Sequence, residues 1–309
     1  MTRLTFGVLM TCAILLALGV MTSSAHAELY STDFENFALG GDTTSGTTPL
    51  ITDPALSSNN WRGDGYSGLA DNGVENSSYD GEIVNTGSPN GKAYRLSNAK
   101  VSGNYDITHA STPTVGLVGE SSTTAGWSTF NFSVDFKAAV DGLQDGLVID
   151  VTPNTAGTAN RQGILYITDD ETNGFSVWWS QFDNGSYENV ELATGLSRAD
   201  WHSIEVTMDF VDGESNDLVS IDLNSSSTTG LTTWESASFY SSAVAVDSVV
   251  FRAVNPIDTG NNTGGVSALD GDGVLFDNLT VSAVPEPATM GLLALGGLAL
   301  LRRRRRTVA

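Results

Sequence analysis

The chain has 309 residues, with 36 acidic against 14 basic side chains and a formal net charge of −22. Nucleic acid is therefore not an expected partner, because binding its phosphates needs clustered Lys and Arg; the acidity suits a soluble, self-repelling surface and supplies oxygen ligands for a hard cation such as Ca²⁺. The single cysteine, Cys12, lies in the first 27 residues, so a chain cut after them has no disulfide, thiol chemistry or cysteine-held metal.

Residues 1–27 read as a secretory signal peptide. Arg3 gives a short charged start, Leu4 to Val20 an apolar stretch, and Ala25-His26-Ala27 a small-x-small site for signal peptidase, with cleavage expected before Glu28 and export by the Sec route. The body that follows, residues 28–283, is long enough for one large domain without disulfides. With Val284 included it carries eight basic and 35 acidic residues, a formal charge of −27.

Period-two alternation marks the body as all-β. Ser128 to Ala138 puts Phe130, Phe132, Val134 and Phe136 on one face and polar residues on the other, and His202 to Phe210 repeats the pattern. Further strands are expected at Leu29–Phe37, Lys92–Leu96, Gly146–Val151, Gly163–Thr168, Gly174–Phe182, Leu218–Leu223, Val246–Ala253 and Val274–Val281, with Gly, Asn, Asp and Ser between them. Long alternating strands with polar turns predict a two-sheet antiparallel sandwich.

Three positions stand out within it. In Gly174–Phe182, alternation places Phe175, Val177 and Trp179 on the core face and leaves Trp178 among serines on the outer face. There its indole either stacks on a sugar ring or is covered by a loop; Trp61 and Trp234 lie in loop-like stretches and read as loop anchors. Alternation puts Asp277 in the apolar row Leu275, Leu279, Val281, where a carboxylate needs a cation, an arginine or several amide donors. His202 shares the apolar register of Ile204 and Val206 and reads as a satisfied core histidine. The carboxylates Asp169-Asp170-Glu171 are expected in a solvated turn, and no nucleophile elbow or zinc motif occurs.

The last segment, residues 284–309, has three parts. Pro285-Glu286-Pro287 is followed by an apolar run, Ala288 to Leu301, and by Arg302, Arg303, Arg304, Arg305 and Arg306. Fourteen apolar residues make a helix of roughly 21 Å, short of the ~30 Å hydrocarbon core. The arginines act as a cytoplasmic stop. The segment fits either a single-pass anchor or a temporary one cut near the Pro-Glu-Pro.

This order resembles the PEP-CTERM sorting signal of exported proteins in Gram-negative bacteria that make extracellular polysaccharide. The resemblance implies processing by exosortase, a transient inner-membrane anchor, and delivery to the cell surface or extracellular matrix. A second resemblance runs through the body. Trp201-His202, a strand, Asp212-Gly213 and a further strand are similar to a stretch of laminin-G-like jelly rolls of the concanavalin A-like fold. Asp33-Phe34-Glu35-Asn36-Phe37 and Leu275 to Val281 resemble the end strands of carbohydrate-binding jelly rolls. That resemblance implies a jelly roll, and a structural Ca²⁺ shared by Glu35 and Asp277. The fold hosts lectins, hydrolases, lyases and adhesive modules, so function is argued from the site. The two-carboxylate strand pattern of its glucanases and the Gln-x-His pair of its lyases do not occur here. The expectation is a noncatalytic surface protein associated with exopolysaccharide. A structural matrix protein without a ligand site and a glycan-degrading enzyme are the alternatives.

Overall fold

The computed structural model describes residues 27–37, 39–42, 80–86, 91–99, 110–112, 115–120, 127–155, 161–171, 173–235, 237, 245–254 and 267–285. Ala25, Trp61, Glu286, Pro287 and Arg302 to Arg306 lie outside them. In chain order the strands are β1 (Ala27–Thr32), β2 (Gly40–Asp42), β3 (Asp80–Asn85), β4 (Lys92–Ser97), β5 (Ala110–Ser111) and β6 (Val118–Gly119). Then come β7 (Trp127–Ala138), β8 (Leu147–Asn154), β9 (Ile164–Glu171), β10 (Gly174–Asp183), β11 (Ser186–Leu196) and β12 (His202–Asp209). The last are β13 (Leu218–Leu223), β14 (Ser226–Leu231), β15 (Ala245–Val246), β16 (Ser248–Ala253) and β17 (Val274–Pro285). Among the described residues no helix is long and apolar enough to cross a membrane.

Two antiparallel sheets pack face to face. One runs β14-β13-β12-β7-β17-β4-β3-β2, with β1 also on β17; the other runs β11-β10-β9-β8-β16-β5. The chain passes back and forth between them: β7 to β8, β11 to β12, and β16 to β17 are crossovers. That exchange defines a jelly-roll sandwich rather than two independent meanders.

The core follows from alternation. Phe130, Phe132, Val134 and Phe136 of β7 are all buried inward, facing Ile149, Val151, Leu165, Ile167, Phe175, Val177 and Trp179 of the smaller sheet. Aromatic rings span the gap, with Phe136 on Phe175 at 6.2 Å and Phe251 edge-on to Phe276 at 4.9 Å. Both distances lie in the favourable range for such pairs.

The structure departs from the sequence reading in three places. The first strand stops at Thr32, and Asp33 to Phe37 form a tight turn in which Phe34 has φ 57° and Phe37 N donates to the Phe34 carbonyl. Phe34 is fully buried against Phe37 and Tyr94, and that packing holds a backbone conformation that bulky residues rarely adopt. In the last strand, a bulge at Asn278 (φ 50°) breaks the register between Asp277 and Thr280. It inserts one residue, so Asp277 faces outward, opposite Leu279 and Val281. Asp277 does not share their row. Finally, Asp169 is not in a solvated turn: it is a buried residue of β9.

Candidate functional site

On the outer face of the larger sheet, register assembles a row from distant parts of the chain. Glu82 of β3 lies opposite Arg95 of β4, Arg95 opposite Leu275 of β17, and Leu275 opposite Lys137 of β7. His202 pairs with Phe136 and points inward, so Trp201, one residue earlier, flanks Lys137 on the outer face. These five residues line a groove of about 560 Å³, with Val84, Asn85 and Thr86 at one end and Val140, Asp141 and Gly271 along the rim.

The charges in the groove differ in how they are held. Arg95 is 2% exposed, pairs with Glu82 at 2.9 Å, and donates to the Asp272 carbonyl at 2.7 Å. Its guanidinium is therefore fixed in the groove floor. Lys137 is half-buried and forms no ion pair or hydrogen bond among the described residues. The other described basic residues are all engaged. Lys92 donates to the carbonyls of Glu35 and Phe37, Arg198 pairs with Asp169, Arg252 pairs with Asp150, and Arg161 also has a partner. In a body of charge −27, an unpaired ammonium beside a half-buried indole is a place where an anion with an apolar face can bind.

Trp178 sits on the other outer face. Its row is Arg252, Asp150, Tyr166, Trp178 and Glu191, across β16, β8, β9, β10 and β11. Trp178 is half-buried, and its serine neighbours Ser176 and Ser180 are buried. Part of that face is covered by Trp234, whose Nε1 donates to the Ser180 carbonyl at 2.9 Å, which makes Trp234 a loop anchor.

Glu35 and Asp277 are engaged separately. Gly91, with φ 49°, leaves room for the Glu35 carboxylate to approach, and Glu35 Oε1 accepts from the Lys92 amide at 2.7 Å. Lys92 Nζ lies 2.7 Å from both the Glu35 and Phe37 carbonyls. Its ammonium brings a positive charge to those two carbonyls. Asp277 is fully buried, and its Oδ1 accepts from the Asn278 amide at 2.7 Å. Among the described residues no three His, Cys, Asp or Glu side chains gather as a metal cluster.

Other polar residues are structural. His202 is buried against Phe136, with Nε2 at 2.8 Å from the Ser197 carbonyl and Nδ1 at 3.2 Å from Asn224 Nδ2. Asp169 receives Arg198 through both oxygens and also the Gln144 amide; that hydrogen bond raises the Arg198 pKa. Asp217 and Glu235 are buried carboxylates that pin the β12–β13 loop. Asp217 accepts from the Val211 amide and the Thr233 hydroxyl, and Glu235 accepts from the Ser215 amide. Burial pushes Asp217 up to about 6. Burial, with the Asp217 charge beside it, pushes Glu235 up to about 7.

Fold and groove together define a jelly-roll sandwich with an open, cation-bearing groove on its larger sheet. The chain also carries a PEP-CTERM protein-sorting motif over residues 283–306, which implies processing by exosortase in the membrane. Export and a transient C-terminal membrane anchor, before surface or extracellular release, follow from the same motif. No curated relative matches the chain. Among solved structures it is similar to the carbohydrate esterase vb_24B_21 from Shiga toxin-encoding bacteriophage phi24B, at 15% identity and TM-score 0.46, covering 84% of this chain and 100% of that one. It is also similar to a putative beta-glucanase from Mycobacterium abscessus, at 12% identity and TM-score 0.42, covering 82% and 100%. A third is the alginate lyase A1-II', at 11% identity and TM-score 0.39, covering 66% and 83%.

Proposed function

We propose that the protein is a noncatalytic surface module that holds acidic polysaccharide outside the cell through the groove on the larger sheet. The observation that carries this reading is the row Glu82, Arg95, Leu275, Lys137, Trp201, in which Lys137 has no anionic partner among the described residues. A sugar ring has an apolar C–H face that stacks on an indole, and a uronate carboxylate pairs with an ammonium. Leu275, between Arg95 and Lys137, provides apolar floor. The groove's own carboxylates are poorly suited to acid–base work: Glu82 is tied to Arg95, and Asp141 is exposed on the rim.

Export and sorting give this chemistry its setting. A protein released at the surface of a polysaccharide-producing cell meets acidic polymer at high local concentration, so a weak site of this kind suffices when repeated along a chain. The test is incubation of the mature protein with uronate-containing and neutral polysaccharides, following both retention and release of new chain ends. Retention by the acidic polymer without new ends supports the proposal. New ends show an enzyme, and no retention by any polymer shows a structural protein without a ligand site.

A further inference from the structure

Both ends of the body leave the sandwich at the same place. β1 pairs antiparallel with the end of β17, Ala27 opposite Ala283 and Glu28 opposite Ser282. The chain before β1 and the tail after β17 therefore emerge side by side. The sorting motif begins inside β17, at residue 283, where Ala283 is fully buried. Only Glu286 and Pro287 separate the end of β17 from the apolar run, a link of about 11 Å at most. A link that short leaves the body little freedom to turn over relative to whatever holds the tail.

The groove is at the opposite end of the same strands. Pro285 lies opposite Trp127 at the start of β7, and Leu275 opposite Lys137 near its end. Ten residues of β7 separate the two points, about 33 Å at 3.3 Å per residue. The tail end also presents exposed apolar side chains, with Leu218 57% and Val211 41% exposed. Leu218 belongs to it by register, through Asp209 and Thr129 to Val284.

We propose that the uncleaved protein stands on the bilayer by this end, with Val211 and Leu218 toward the lipid headgroups and the groove facing away. The polysaccharide site is then open before the tail is removed, and cleavage releases a module already able to bind. This rests on the tail acting as a membrane segment and on the groove reading above. The acidic groups at the same end, Glu28, Asp209, Asp212 and Glu214, oppose close approach to anionic headgroups, so an uncharged bilayer is the appropriate probe.

The test uses the chain from Glu28 onward with its tail intact, in phosphatidylcholine vesicles that carry a nitroxide-labelled headgroup lipid. That chain has no cysteine of its own, so a fluorophore is placed at Leu218→Cys or at Asp141→Cys, both exposed positions, and melting profiles confirm that each variant folds. Quenching should be several-fold stronger at position 218 than at 141, and should vanish at both when the chain is ended at Pro287. Equal quenching, or stronger quenching at 141, overturns the orientation. Absence of quenching at both positions overturns it as well, by showing that the tail does not hold the body at the membrane. Polysaccharide retention by the tail-less protein is measured separately, so failure of the groove reading is not confused with failure of the orientation.

Discussion

On the outer face of the six-stranded sheet, Arg252 and Asp150 meet at 2.8 Å and both are almost wholly buried. On the outer face of the larger sheet, Lys137 stands in an open groove with Trp201 beside it and no counter-ion among the described residues. The two faces belong to one sandwich and share one core, yet the first has spent its charges on structure and the second has kept one in reserve. A buried ion pair returns little net stability but is costly to break. An accessible, unpaired cation contributes little to the fold, which leaves Lys137 available to the ligand proposed above.

The largest effect that separates the faces is on stability. Arg252→Leu leaves the Asp150 carboxylate buried without its partner, and should cost about 3–5 kcal/mol in denaturant unfolding. Lys137→Ala should leave unfolding within about 0.5 kcal/mol of wild type, as surface changes do. If the two variants unfold alike, the contrast between the faces is wrong.

Next comes binding. Trp201→Ala should weaken retention by an acidic polysaccharide about tenfold, corresponding to about 1.4 kcal/mol, with an unchanged melting temperature. Lys137→Ala should weaken it too, and should remove much of its salt dependence. Trp178→Ala sharpens the comparison from the other face. The proposal that Trp178 also stacks on glycan predicts a smaller loss, because its ring lies opposite Glu191, whose charge repels an acidic polymer. A large fall in melting temperature for that variant would assign Trp178 to packing instead.

A pH effect arises at the opposite end from the groove. Asp217 and Glu235 bind their protons more tightly in the folded state, at about 6 and about 7 against 3.8 and 4.5 ordinarily. The folded state thus holds more protons than the unfolded one across that window, so stability should fall as pH rises from roughly 4 to 7 and level off above it. The Glu120 charge acts in the same direction on both. Glu235→Gln should flatten this slope and be relatively more stable at high pH. An unchanged slope in thermal melts would remove Glu235 from the explanation.

The smallest expected effect concerns calcium. With Lys92 Nζ on the Glu35 and Phe37 carbonyls, chelation should leave the melting temperature unchanged. A fall on chelation that calcium reverses would restore the ion implied by the end-strand resemblance.

What could be read from the sequence was whatever repeats along one strand. The Phe130 to Phe136 alternation located β7 and its buried face, and the apolar register of His202 identified it as a core residue. Edge strands were illegible: β14 is mostly exposed and carries Ser and Thr before Leu231, and β11 mixes exposed Glu, Asn and Thr with the partly buried Val190, Leu192, Ala193 and Leu196. Such charged and polar edges resist pairing with other chains, and the same chemistry erases the strand signal. The bulge at Asn278 hid the true direction of Asp277, because one inserted residue reverses every later side chain. The groove is the clearest loss. Trp201 was visible as part of a motif, but Glu82, Arg95, Lys137 and Leu275 meet it only through register between strands far apart in the chain.

The central claim is tested most directly by affinity electrophoresis of the mature protein through a gel containing a uronate polysaccharide. Wild type should be retarded, the Trp201→Ala, Lys137→Ala double variant should migrate as in an empty gel, and a neutral polysaccharide should retard neither. Equal retardation of wild type and double variant in the uronate gel would contradict the account, because the polymer would then be held somewhere other than the groove.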